Sequence, residues 1–151
     1  MKSHGVTFAT IRAWHSYGAF DTNAISAIKN ARTAGIANVD VYLFPCKSKS
    51  ASEQAKGTVQ GLGNSNYGMV WIDFETNPST GCAWGNNYAS NCQFMEDLIN
   101  ELKALGKKVG VYASHHMWVQ IMGSATYCSN FSDLPLWYAH YDNLKSFSDY
   151  S

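Results

Sequence analysis

The sequence predicts an α/β fold, a parallel sheet of five strands joined by four helical crossovers. Strand-like and helix-like patterns alternate along the whole chain, the arrangement that gives parallel sheets with right-handed connections. Successive strands start roughly 30 residues apart, the length of a repeated βα unit. No internal repeat, linker or low-complexity tract interrupts the 151 residues, so residues 1–151 read as a single domain. Two closures fit this pattern: an open doubly wound sheet, or part of a (β/α) barrel.

The elements follow in order. Residues 6–14 (VTFATIRAW) are rich in β-branched and aromatic side chains and read as a strand. Asp21-Thr22-Asn23 can cap a helix from Ala24 to about Ala34, stopped by Gly35. Residues 36–44 (IANVDVYLF) form the second strand, ended by Pro45. A glycine-sprinkled helix spans Ser50 to about Leu62, and residues 67–75 (YGMVWIDFE) form the third strand. Phe94, Met95, Leu98, Leu102 and Leu105 recur at helical spacing between Asn91 and Leu105, with Gly106 as the stop. Residues 107–113 (KKVGVYA) are the fourth strand, and Ser114 caps a short helix to about Met122. Residues 134–141 (LPLWYAHY) are the fifth strand.

Composition narrows the function. Eleven Lys+Arg balance eleven Asp+Glu, so the formal net charge is zero. That argues against duplex nucleic acid and against a polybasic membrane contact, both of which need an excess of cations. Charged residues make up 15% and aromatics 14%; few charges and many rings suit neutral, hydroxyl-rich ligands. No apolar run approaches the ~20 residues that span a bilayer. Met-Lys-Ser-His-Gly leads straight into a strand-like run, so no signal peptide is read.

The four cysteines, Cys46, Cys82, Cys92 and Cys128, allow three complete pairings. Without a C-x-x-C motif or zinc-like spacing, no metal site is expected. Cys82 and Cys92 bracket a Gly/Asn/Ser-rich segment and are expected to pair with each other. A disulfide implies an oxidising compartment, and Asn130-Phe131-Ser132 is a glycosylation sequon that agrees with it. Secretory chemistry without a leader points to a fragment. Gly61-Leu62-Gly63-Asn64-Ser65-Asn66 lacks the third glycine of a dinucleotide fingerprint and precedes a strand instead of following one, which sets nucleotide binding aside.

The most informative run is Val70-Trp71-Ile72-Asp73-Phe74-Glu75. Residues two apart on a strand leave the same face, which places the Asp73 and Glu75 Cα atoms roughly 6.6 Å apart. They lie at the carboxyl end of the strand, where barrels and parallel sheets hold their active sites. Two carboxylates so close cannot both ionise freely, and the resulting acid and anion are what glycosidic cleavage requires. A divalent cation site and plain solvated charges are the other readings. A chitinase-type motif fails, because Trp71 and Met69 stand where it needs aspartates. Aromatics gather at the other strand ends: Tyr42, Phe44, Tyr112, Trp137, Tyr138 and Tyr141. Their faces and hydroxyls suit sugar rings. His115 and His116 are adjacent and would face different directions on a helix; His140 reads as packed, and His4 and His15 carry no pattern.

Residues 8–13, 39–46, 71–75, 109–114 and 135–141 together resemble consecutive strands of the family 25 lysozymes, the N-acetylmuramidases of the glycoside hydrolases, in their eukaryotic branch. The resemblance implies an irregular TIM-like barrel, with 1–151 as a partial catalytic domain holding the second to sixth of eight strands. It implies hydrolysis of the β-1,4 bond from N-acetylmuramic acid to N-acetylglucosamine, without a cofactor. Glu75 would be the general acid, and Asp73 an anion supporting the 2-acetamido group or the oxocarbenium ion. Tyr42, Tyr112, Trp137 and Tyr141 would contact the glycan. The implied partner is bacterial peptidoglycan, met by a monomeric domain in a secreted or lysosomal/phagosomal setting. Cys46 and Cys128 would pair with cysteines outside this chain. The alternative is a glycan-binding remnant without activity.

Overall fold

The protein, described here by a computed structural model, is placed at residues 5–144 and 146–147; His4 lies outside the described residues. Strand β1 (Phe8–His15) turns at Gly18, whose φ of +81° suits glycine, into a two-residue strand β2 (Ala19–Phe20) that pairs back on it antiparallel. There follow helix α1 (Ala24–Thr33), β3 (Asn38–Leu43), α2 (Ala51–Leu62), β4 (Met69–Asp73), α3 (Tyr88–Ala104), β5 (Lys108–Ala113), α4 (His115–Met122), a 3₁₀ turn (Ser129–Phe131) and β6 (Leu136–Tyr138). The caps explain several helix starts. Ser50 accepts from the Glu53 amide, Asn87 from Ser90, and Ser114 from Met117, each satisfying an otherwise orphaned N–H of the first turn.

The sheet order is β2-β1-β3-β4-β5-β6, and every pairing after the first is parallel. A doubly wound sheet reverses the order of its parallel strands partway; here β2 is an antiparallel hairpin strand, and the parallel strands β1, β3, β4, β5 and β6 run in chain order without reversal. With right-handed crossovers, such an order keeps the helices on one face and is that of a (β/α) arc. Alternation along the strands then sorts the side chains. Val39, Val41, Leu43, Val70, Ile72, Val109, Val111 and Ala113 are buried toward the helices. They meet Ile28, Ala55, Leu62, Met95, Leu98, Leu102, Trp118 and Ile121 in one core. The opposite face carries Arg12, Asp40, Tyr42, Trp71, Asp73, Gly110, Tyr112 and Trp137.

Three expectations need correction. β2 and the 3₁₀ turn escaped the sequence reading because two or three residues carry no periodicity. β4 ends at Asp73 and β6 spans three residues, so Glu75 and Tyr141 lie beyond their strands. Cys82 does not pair with Cys92, nor do Cys46 and Cys128 look outside the chain: the disulfides are Cys46–Cys82 and Cys92–Cys128. The reason is topological. Cys46 and Cys82 follow neighbouring strands β3 and β4, and the Lys47 amide donates to the Cys82 carbonyl at 3.2 Å. Cys92 belongs to the second turn of α3, not to a loop, and faces the segment after α4.

Candidate active site

Parallel register builds the site. It sets Arg12 opposite Tyr42, Asp73 opposite Tyr112, and Tyr112 opposite Trp137. Arg12, Tyr42 and Trp71 therefore share one level of this face, and Asp73, Tyr112 and Trp137 the next level toward the strand ends. Tyr42, Asp73, Glu75, Tyr112 and Trp137 line a single cavity of about 200 Å³. Phe74, between the two carboxyls, points the other way and is fully buried against Trp84 and Trp118. Its amide still donates to the Tyr112 carbonyl at 2.8 Å, and the Trp84 indole donates to the Glu75 carbonyl at 2.9 Å. Glu75 thus sits on fixed backbone although the strand has ended.

The loops around this cavity are tied together. Asn77 donates to the carbonyls of Ser16 at 2.7 Å and Pro45 at 2.9 Å, and accepts from the Ser79 amide at 2.8 Å. One buried amide side chain thereby joins the segments after β1, β3 and β4. Below them, buried Gln54 accepts from the Cys46 amide at 2.8 Å and the Trp14 indole at 3.2 Å. The Cys46–Cys82 disulfide links two of the same segments.

The two carboxyls are unequal. Asp73 is 8% exposed, its Oδ1 has no hydrogen-bond partner, and its pKa is pushed up to about 7, first by burial and then by the charge of Glu75. Glu75 is half-buried, and burial raises its pKa too. The stronger push falls on Asp73, the reverse of a permanently anionic aspartate beside a protonated glutamate. The reason is depth: Asp73 ends a central strand, whereas Glu75 reaches the mouth. Tyr42 is raised mainly by burial, with the Arg12 cation pulling it down. Tyr112 is raised by burial and by its Tyr141 partner.

Trp137 stands edge-on to both Trp71, at 5.8 Å between ring centroids, and Tyr112, at 4.8 Å, and remains 38% exposed to the cavity side. Tyr141 is not part of the lining. It is 91% exposed and touches the site only through its hydroxyl, 3.4 Å from that of Tyr112. Arg12 went unremarked in the sequence, although alternation from Thr10 already put it on this face. A larger, open groove of about 800 Å³ lies between α2 and α3; its Glu101 is engaged by Ser52 and Lys56 and its Asp97 by Gln93.

Comparison with known proteins gives the family. A family model described as "Lysozyme-like protein 1" matches residues 1–151. A protein of Dictyostelium discoideum named "Probable GH family 25 lysozyme 2" is 46% identical over 154 aligned positions, covering 100% of this chain and 69% of the relative. The chain belongs to the GH family 25 lysozymes. Solved structures agree on the fold. A muramidase from Trichobolus zukalii superposes with a TM-score of 0.76 at 20% identity, over 95% of this chain and 70% of that one. The modular autolysin LytC of Streptococcus pneumoniae, solved with a synthetic peptidoglycan ligand, gives 0.66 at 19% identity, over 80% of this chain and 29% of that one. This GH family 25 chain therefore shares a glycosidase fold, with its carboxyl pair on the strand-end rim.

Proposed function

We propose that the chain is a muramidase that hydrolyses the β-1,4 bond from N-acetylmuramic acid to N-acetylglucosamine in bacterial peptidoglycan. One observation carries the reading: Asp73 and Glu75 face a single aromatic-lined cavity at the carboxyl ends of parallel strands. Glu75, at the mouth, is the group within reach of a glycosidic oxygen, and it donates the proton to the leaving sugar. Asp73, deeper, supports positive charge at the anomeric carbon once ionised. Their mutual repulsion means that protonation of one eases ionisation of the other. When one of the two is protonated, contact with the glycosidic oxygen decides which one holds the proton. Tyr42, Tyr112 and Trp137 supply faces and hydroxyls for the sugar, and Tyr141 joins only where a longer glycan passes the β6 end. The strands β1 and β3–β6 correspond, on this reading, to the second to sixth strands of the family barrel.

Two disulfides favour an oxidising compartment, and among the described residues no helix is long and apolar enough to cross a membrane. A secreted or lysosomal setting, with an antibacterial or digestive role, follows from the substrate. The test is Glu75→Gln, which keeps shape and removes the donor. Release of reducing ends from peptidoglycan should fall by at least ~10²-fold, with glycan binding retained. Wild-type rates in the variant, or no turnover by the native chain beside intact binding, would refute catalysis and leave a glycan-binding protein.

A further inference from the structure

On β1, beside Tyr42, the site-facing side of the sheet carries a cation. Arg12 is held through its inner nitrogen, Nε, which donates to Asp21 Oδ2 at 2.9 Å. Asp21 is itself fixed: it is 5% exposed, accepts from the Asn23 amide at 3.0 Å, and has His15 Nε2 at 3.4 Å. With Nε engaged, the terminal fork of the guanidinium lies beyond the anchor, beside the Tyr42 hydroxyl, and the side chain is 45% exposed. Arg12 faces the same side of the sheet as Tyr42, its register partner, and Tyr42 is a wall of the cavity. Two strand spacings separate β1 from β4, and the register levels Arg12 with Trp71, two residues before Asp73, so the Cα atoms of Arg12 and Asp73 stand roughly 12 Å apart. A sugar held at the carboxyl pair against Tyr42 can therefore turn a substituent toward the guanidinium. Among the described residues at these two levels of the face, Arg12 is the one cation.

N-acetylmuramic acid differs from N-acetylglucosamine by a lactyl arm that ends in a carboxyl group. Planar guanidinium forks fit carboxylates better than any other side chain does. We propose that Arg12 forms a carboxylate-binding subsite that reads the acidic arm of the muramyl residue and makes the site prefer muramyl glycans over chains of N-acetylglucosamine alone. The inference rests on the muramidase reading for the identity of the glycan. The carboxylate has two sources, the lactyl group of peptide-free strands and the free carboxyls of an attached stem peptide.

Binding, measured by titration calorimetry on the Glu75→Gln protein so that nothing is consumed, tests the subsite. The probes are the alternating tetrasaccharide of N-acetylglucosamine and N-acetylmuramic acid, the same compound with its lactyl carboxyls amidated, chitotetraose, and a peptide-bearing tetrasaccharide with its peptide carboxyls free or amidated. The acidic tetrasaccharide should bind about tenfold tighter than its amide, the scale of one charge-assisted hydrogen bond at a partly exposed site, and the advantage should shrink with added salt. Adding Arg12→Gln should reduce that ratio to within twofold. Arg12→Lys, which keeps the charge without the fork, should retain part of it and serves if the glutamine variant fails to fold. Discrimination only between the two peptide-bearing forms would assign the carboxylate to the stem peptide; discrimination between the peptide-free forms assigns it to the lactyl group. Equal affinities for all acid and amide pairs, or a ratio unmoved by Arg12→Gln, would overturn the subsite. Turnover by the native chain is read separately. Cleavage without carboxylate discrimination removes the subsite alone, and carboxylate-dependent binding without cleavage removes the muramidase reading alone.

Discussion

Replacing Asp73 by asparagine should reverse in sign between acid and alkaline pH. In the folded protein Asp73 has a pKa of about 7 against an ordinary 3.8, because burial and the Glu75 charge disfavour its anion. Between those two values the folded chain binds a proton that the unfolded chain does not, so stability falls as pH rises through this window. Below about pH 4 both states are protonated at this position and nothing is lost; above about pH 7 the loss is complete. A gap of roughly three pH units is worth about 4 kcal/mol at ~1.36 kcal/mol each. With Asp73 8% exposed, solvent screening does not remove it. Asparagine cannot ionise, but it brings amide hydrogens into a place where Oδ1 has no partner, at a cost of about 1–2 kcal/mol. Asp73→Asn should therefore be about 2 kcal/mol more stable than wild type at pH 8 and about 1–2 kcal/mol less stable at pH 4. Urea unfolding with disulfides intact, followed by fluorescence of the five tryptophans, measures both. Parallel stability curves for the two proteins across pH 4–8 would show that Asp73 ionises normally, and would remove the physical basis for a shared proton.

Two further outcomes follow from packing and cross-links. Peptide mapping without reduction should recover Cys46 joined to Cys82 and Cys92 joined to Cys128. Each bridge closes a sequence separation of 36, so a Cys46→Ala/Cys82→Ala protein should lose up to about 4 kcal/mol on the chain-entropy scale; a Cys82–Cys92 peptide would contradict the fold around α3. Gly110→Ala should cost about 1–3 kcal/mol by overpacking. Its Cβ would lie 2.5 Å from Trp71 Cζ3 and 2.8 Å from Met69 Sδ, and Trp71 cannot swing freely while its indole donates to Asp40 at 3.0 Å. An unchanged urea midpoint together with an unchanged near-ultraviolet circular dichroism spectrum would refute that packing.

The helix-facing half of the fold was legible because it obeys periodicity. Val39, Val41 and Leu43 alternate with Asn38, Asp40 and Tyr42, and Phe94, Leu98 and Leu102 mark one stripe of α3, so element types and order follow from the residues alone. The strand-end face was legible only where chemistry is concentrated. Asp73 and Glu75 announce themselves as a spaced pair, and Tyr42, Tyr112 and Trp137 as strand-end aromatics. Tyr141 has the same composition signal, yet β6 stops at Tyr138, and no propensity distinguishes the last paired residue from the next. The cysteines failed for a related reason: four cysteines allow three pairings, and only the neighbouring positions of β3 and β4 choose among them.

Arg12 shows the limit most clearly. A single arginine within a strand-like run reads as a surface charge, since most arginines are exposed. What gives it meaning is the chain-order sheet. Because β1 lies next to β3 and β3 next to β4, a residue 61 positions before Asp73 in sequence stands two strands from it in space. The same adjacency places Asn77 where it can bond the segments after β1 and β3. The strand order thus performs two tasks at once. It assembles cation, carboxyls and rings on one face of the sheet, and it lets a single amide and a disulfide tie the loops beyond that face together while Asp73 stays buried, its Oδ1 unpartnered, and reluctant to ionise.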